Sequence, residues 1–253
     1  NAMIANITGV YVNLTSELSQ DAKEEMFLSG KRRFFVEQSN FLRIPGNPIA
    51  YWIGQSAFEL FGKKTIGDFS NACYGFITGD NDKYMRHWHE IDRTCICFDA
   101  VDTASFSSTH AEYVPCNKGG NFQKWYGNND WIVNWKRSGE FHRMGSTYQE
   151  AFFQEGITWS VLSSNKFNCR YYVKGFVFDH AAASLFVTRS ETMNTIIGYM
   201  NSVVFDMLLN ALNPTINSGA DVVTKIPFLP LTEDKSVNSI VNKNITLSRT
   251  DWD

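Results

Sequence analysis

The residue types best suited to chemistry in this chain are amides, amines and glycines set among large aromatics. They concentrate in "YVPCNKGGNFQKWYGNNDWIVNW", Tyr113 to Trp135. Lysine and arginine neutralise phosphates and release counterions. Glycine lets a backbone amide approach a phosphate closely, because no side chain intervenes. Asparagine and glutamine can pair bidentately with adenine in the major groove, and arginine with guanine. Between Asn117 and Lys174 the cations are Lys118, Lys124, Lys136, Arg137, Arg143, Lys166, Arg170 and Lys174. The carboxylates there are Asp130, Glu140, Glu150 and Glu155, so 8 − 4 gives +4 in a chain whose net charge is −3. A polyanion would be drawn to that stretch and not to the chain as a whole. The bland alternative is a set of solvated loops around packed tryptophans, and Trp125, Trp135 and Trp159 are expected to pack.

Other clusters hold side chains capable of catalysis, but none completes a catalytic set. The sequence holds no GxGxxG, P-loop, GxSxG or HExxH pattern. It has no adjacent prolines, so the Asn/Asp-Pro-Pro-aromatic motif of amino methyltransferases is missing, as is a glycine-rich turn for S-adenosylmethionine. "HWHEID" offers His87, His89, Glu90 and Asp92, but no third metal ligand follows from the spacing, and a polar edge around Trp88 is the simpler reading. "TGDND", Thr78 to Asp82, resembles half of a calcium loop; an Asx-type turn projecting Thr78, Asn81 and Arg86 explains it better. The odd set of Cys73, Cys95, Cys97, Cys116 and Cys169 reads as free thiols in a reducing cytosol. The expectation is therefore no catalytic residue, no metal and no cofactor in this chain. No apolar run approaches the length of a bilayer span, so no membrane partner and a cytoplasmic location are expected.

The elements that would position the cluster follow from periodicity. At 43% hydrophobic and 15% aromatic residues, 253 residues can build a sizeable core. Asn1-Ala2 ahead of Met3 reads as a cleavage scar. Apolar alternation from Ile4 to Leu14 predicts a strand, and Ser19 can cap a helix that Gly30 stops. A strand from Phe34 should end at Pro45-Gly46, and Ser56 with Glu59 suggests a capping box. From Gly67 onward "CICFDAV", "DWIVNW", "ITWSVLSS", "CRYYVKGFVF" and "SLFV" read as strands between polar loops. Residues 191–212 read as one helix with a buried stripe, stopped by Asn213-Pro214, and "VVTKIPFLPL" as a proline-edged strand. The fold class is α+β: residues 1–66 form an N-terminal extension, 67–231 a mostly β domain with long polar loops and a packed C-terminal helix, and 232–253 a polar tail. The tail ends without a stop signal, as though a helical region followed.

Several long stretches carry a resemblance. "YGFITGDNDKYMRHW", "NKGGNFQKWYGNNDWIVNW", "EGITWSVLSSNKFNCRY", "KGFVFD" and "YMNSVVFDMLLNALNPT" occur in that order, preceded by "IPGNPIAYW" and closed by "LSRTDWD". Over roughly residues 34–253 the chain resembles the region after the catalytic domain in BREX-type (PglX-like) adenine-specific DNA methyltransferases. It is also similar to TaqI-like C-terminal specificity domains, which end in a helix bearing "NS" and then a proline-edged strand. The resemblance implies a target recognition domain. The parent enzyme would use S-adenosylmethionine to methylate adenine in duplex DNA, and the catalytic domain and other defence proteins would be partners. On that reading Lys118, Gly119, Gly120, Lys124, Arg143 and Arg86 would hold the DNA backbone. Gln123, Asn128, Asn129, Lys166 and Arg170 would read base edges. The rivals are a protein-interaction module within a defence complex, a stand-alone hydrolase or nuclease at the histidine cluster, and a carbohydrate-binding domain.

Overall fold

A computed structural model describes residues 7–144, 149–163, 166–229 and 235–252. The chain divides into two units, Asn1–Lys63 and Lys64–Asp253. The architecture is α+β, as expected.

In the first unit β1 (Thr8–Val12) pairs antiparallel with β2 (Arg33–Glu37), from Thr8 opposite Glu37 to Val12 opposite Arg33. The intervening α1 (Gln20–Leu28) begins at Ser19, whose side chain accepts from the Ala22 amide, and Gly30 follows its end at φ +70°. Beyond β2 the predicted strand gives way to a 3-10 turn over Gln38–Arg43. That turn buries Phe41, which meets Tyr11 edge-on at 5.6 Å and Phe58 at 5.9 Å. α2 (Gln55–Leu60) starts at Gly54 and not at a Ser56 capping box.

The second unit contains two four-stranded sheets. The first is antiparallel, in the order β3 (Ser70–Cys73), β10 (Ala182–Val187), β7 (Gly156–Ser160), β8 (Cys169–Tyr172). The second runs β4 (Met85–His87), β6 (Trp131–Asn134), β5 (Tyr113–Asn117), β9 (Val177–Phe178), with only the β5–β9 pair parallel. A shared aromatic core joins them: Phe76, Phe152, Phe153, Phe178, Trp135, Val114 and Val133 are buried, and Phe178 packs 5.7 Å from Phe186 of β10. Short α3 (Asn81–Tyr84) and α4 (Thr103–Ser107) are capped by Asp80 and Asp102. "CICFDAV" forms no strand; Ile96 makes a single bridge to Tyr113.

Residues 191–212 form two helices where sequence periodicity predicts one. α5 (Met193–Met200) and α6 (Val203–Leu212) meet at a 69° bend. The bend lies at Asn201-Ser202, where Ser202 caps α6 by accepting from the Phe205 amide. The proline-edged strand also differs. Ala220–Val223 is the short helix α7, and Pro227 makes one bridge to Thr65; lacking an N–H, it cannot extend a ladder. Residues 235–252, read from sequence as a polar tail, form α8 (Lys235–Trp252). Its Val241 is buried, and a Cβ at Gly198 of α5 would lie only 2.9 Å from Val241 Cγ2. Among the described residues no single helix is long and apolar enough to cross a membrane.

Candidate nucleic-acid interface

The strand registers bring several loops to one end of the second unit. Cys73 pairs with Ser184, Ser160 with Ala182, and Asn117 with Phe178. The segments leaving β3, β5, β7 and β9 therefore emerge together. They are stitched to one another by backbone bonds. His180 N–H donates to Phe76 O at 2.9 Å, Val161 N–H to Ala181 O at 2.9 Å, and Arg143 exchanges bonds with Ile77 at 2.7 and 3.0 Å. Ser163 N–H donates to Ile216 O at 3.0 Å, and Ala220 N–H to the Tyr74 hydroxyl at 3.2 Å. The result is a continuous rim of residues 74–79, 117–121, 142–143, 160–163, 179–182 and 216–220. Gly75 permits the closest approach in it, because a Cβ there would overlap the Phe178 carbonyl.

Several predicted residues lie on this rim. Lys118 is half-buried, with Nζ 4.0 Å from the Trp131 ring centre. Trp131 in turn packs 4.1 Å from His87. Gly119 lies beside Ala181, at 3.2 Å from its carbonyl to an added Cβ. Gly120 is exposed, but its amide donates to Ser160 Oγ at 3.0 Å, which occupies the donor that a phosphate would need. Arg143 is exposed, with a guanidinium nitrogen 3.3 Å from His180 Nδ1.

Other candidates do internal work. The Lys124 ammonium donates to Asn201 O at 2.7 Å, in the break between α5 and α6. Gln123 donates to Tyr126 O at 3.1 Å. Asn128, at φ +60°, is buried and donates to Asn121 O at 3.0 Å, closing a loop under Gly120. Arg86 folds back onto the carbonyls of Asp82 and Met85. Thr78, expected to project, is buried and donates to Asn81 Oδ1 at 2.6 Å.

Arg170 departs furthest from expectation. It is 1% exposed, its guanidinium reaches Asn168 Oδ1 at 3.4 Å, and its Nε has no partner. Burial lowers its pKa to about 10. Strand alternation explains the placement, since β8 is covered on both faces and Arg170 points opposite Cys169. In this fold Arg170 is a buried structural cation out of reach of a base edge. Lys166 is exposed and Asn129 half-exposed, so both remain available to a ligand. Of the expected packers, Trp135 and Trp159 are buried. Ser146, Thr147, Ser164 and Asn165, polar residues of the stretch between Asn117 and Lys174, lie outside the described residues.

The electrostatics of the rim are mixed. Asp179 is buried and its pKa rises to about 6 through desolvation, opposed by the nearby Lys118 charge and by the amides of Ala181 and Ala182. His180 is held below its ordinary value by burial and then by Arg143, which favours the neutral ring. Exposed Asp80 and Asp221 also border the rim, while Lys136 and Arg137 are tied to Glu112 and Glu140 at 3.0 and 2.7 Å. No group of three or more potential metal ligands occurs among the described residues, the His87–His89 cluster included. Sequence reasoning missed Tyr74 and His180, whose rings lie 4.6 Å apart on the rim. The only hint was their position next to Gly75 and to the "KGFVFD" turn.

No protein-family model matches the chain. It is similar to the adenine-specific methyltransferase PglX of Lacticaseibacillus casei (strain Zhang), 33% identical over 263 residues, covering 96% of this chain and 22% of that protein. It is also similar to the adenine-specific methyltransferase BrxX of Escherichia coli O9:H4 (strain HS), 30% identical over 222 residues, covering 85% of this chain and 17% of that protein. The chain thus spans about a fifth of the length of the curated relatives it matches and corresponds to one region of them.

Proposed function

We propose that this chain is the DNA target recognition region of an N6-adenine methyltransferase from a BREX-type phage-defence system, acting in the bacterial cytoplasm, and that the rim is its DNA face. The observation that carries the reading is the convergence of loops far apart in sequence onto one end of two sheets, with Lys118, Gly119 and Arg143 on it. A rigid scaffold with loops gathered at one end is how folds commonly present recognition residues. Lys118 and Arg143 hold phosphates, and Lys166 and Asn129 are the base-reading candidates left exposed. Methyl transfer and S-adenosylmethionine binding belong to the remainder of the longer enzyme.

The test is duplex binding by this chain as a function of salt. Each phosphate contact adds about 0.9 to the slope of log K against log salt. Lys118→Ala with Arg143→Ala should lower that slope by about 2 and weaken binding to all sequences alike. Lys166→Ala should instead relax sequence choice. Salt-independent association, or an unchanged slope in the double variant, defeats the reading and favours a protein-interaction surface.

A further inference from the structure

One part of the rim, residues 160–163 and 216–218, carries no cation. Leu162 is 65% exposed and Ile216 is 62% exposed, although both sit on well-pinned backbone. Residues 161–163 and 216–218 form a minimal two-stranded ribbon. Leu162 bridges Asn217 antiparallel, Ser163 N–H donates to Ile216 O at 3.0 Å, and Ser218 N–H donates to Val161 O at 2.7 Å. Its root is fixed by Trp159 Nε1, which donates to Ser218 O at 2.7 Å, and by Val161 N–H on Ala181 O at 2.9 Å. Asn213 braces the far strand by donating to Asn217 O at 2.6 Å. Side chains alternate across such a pair, so Leu162 and Asn217 share one face and Ile216 and Ser163 the other. The ribbon therefore carries one exposed aliphatic on each face.

Resting on the DNA reading above, we propose that this ribbon is a wedge that enters the duplex and unstacks a base step. A single exposed aliphatic needs no explanation. An aliphatic on each face of one pinned ribbon fits an object that meets a base on either side. Apolar side chains inserted between base steps unstack them, at a cost of a few kcal/mol per step, and kink the duplex. The root lies next to the phosphate-holding loop: Ser160 donates to Gly120 O at 3.1 Å, and Gly119 abuts Ala181, the residue that anchors Val161. The cations would seat the duplex while the ribbon opens it.

The experiment compares binding of an intact duplex with that of the same duplex carrying one central abasic site, using the full 253-residue chain. A wedge pays less to enter where stacking is already broken. The wild-type chain should bind the abasic duplex about 10-fold tighter, a difference of about 1.4 kcal/mol. Leu162→Ala with Ile216→Ala, both at exposed positions, should bind the two duplexes equally and keep its salt slope. Ile240→Ala, 60% exposed on α8, should retain the preference. A wild-type ratio near 1, or a preference surviving in the double variant, overturns the wedge while leaving the DNA reading intact. Failure of the wild-type chain to bind either duplex removes the DNA reading and the wedge with it.

Discussion

Asp179 shows how one side chain builds the rim and what it costs. Its carboxylate accepts from the amides of Ala181 and Ala182 at 2.9 and 3.1 Å, which fixes the turn from β9 to β10. Burial raises its pKa to about 6. The folded state thus binds a proton that the unfolded state has released between about pH 4 and 6. The stabilising contribution is full below about pH 4 and is lost as pH rises through about 6, a penalty of about 2–3 kcal/mol at neutral pH. Asparagine keeps the acceptor oxygen without the charge. Asp179→Asn should flatten urea stability between pH 4 and 6 and raise it at pH 7. A variant that keeps the wild-type pH slope would show that another group titrates there. At this scale the sequence revealed which residue types were available but not where they pointed. Lys118 and Arg143 reach the rim, whereas Arg170 and Lys124, equally cationic on paper, are spent inside the fold.

At the scale of elements, the decisive residue is Asn201. Apolar spacing over 191–212 predicts a single helix with one buried stripe; Ile196, Ile197, Met200 and Leu208 of that stripe are buried, but Val203, Val204 and Met207 are exposed, and Phe205 and Leu209 are buried on α6. Periodicity does not register the break, because the hydrophobic positions continue in helical register across it. The cause lies in a tertiary partner. Asn201 Oδ1 accepts from Cys169 N–H at 3.1 Å and its Nδ2 donates to Cys169 O at 3.0 Å, so its amide completes the β8 edge as a neighbouring strand would. The Asn201 carbonyl, freed by the bend, accepts from Lys124. Asn201→Ala would leave the buried Cys169 N–H without a partner, whereas the Cys169 carbonyl keeps the Trp125 amide at 2.9 Å. Stability should fall by about 1–3 kcal/mol, and hydrogen exchange at the Cys169 amide should accelerate well beyond that at Ile157. Equal exchange at both would place the loss elsewhere. The strands "DWIVNW", "ITWSVLSS" and "SLFV" were legible because β-branched and aromatic bursts between turn residues have few other readings. "CICFDAV" carries the same signal but becomes a loop with one bridge, since the core takes Cys97 without needing a ladder partner.

At the scale of the whole molecule, every candidate contact and the entire rim lie within Lys64–Asp253, while Asn1–Lys63 has its own sheet and its own aromatic core. The boundary expected from sequence at residue 66 rests on texture, which changes there from helical signals to β bursts. The first residues of the wider unit are tied to the segment after α7: Ile66 N–H donates to Ile226 O and Phe228 N–H to Lys64 O, at 2.9 and 2.8 Å. A unit that holds its own sheets and core should unfold independently. Limited proteolysis should therefore release a fragment beginning near Lys64. That fragment should melt in one cooperative transition and bind duplex DNA with the salt slope of the full chain, since no rim cation is lost with Asn1–Lys63. If the slope instead drops by 1 or more on removing the first unit, cations such as Arg32, Arg33 or Arg43 hold phosphates too, and the DNA face extends beyond the rim.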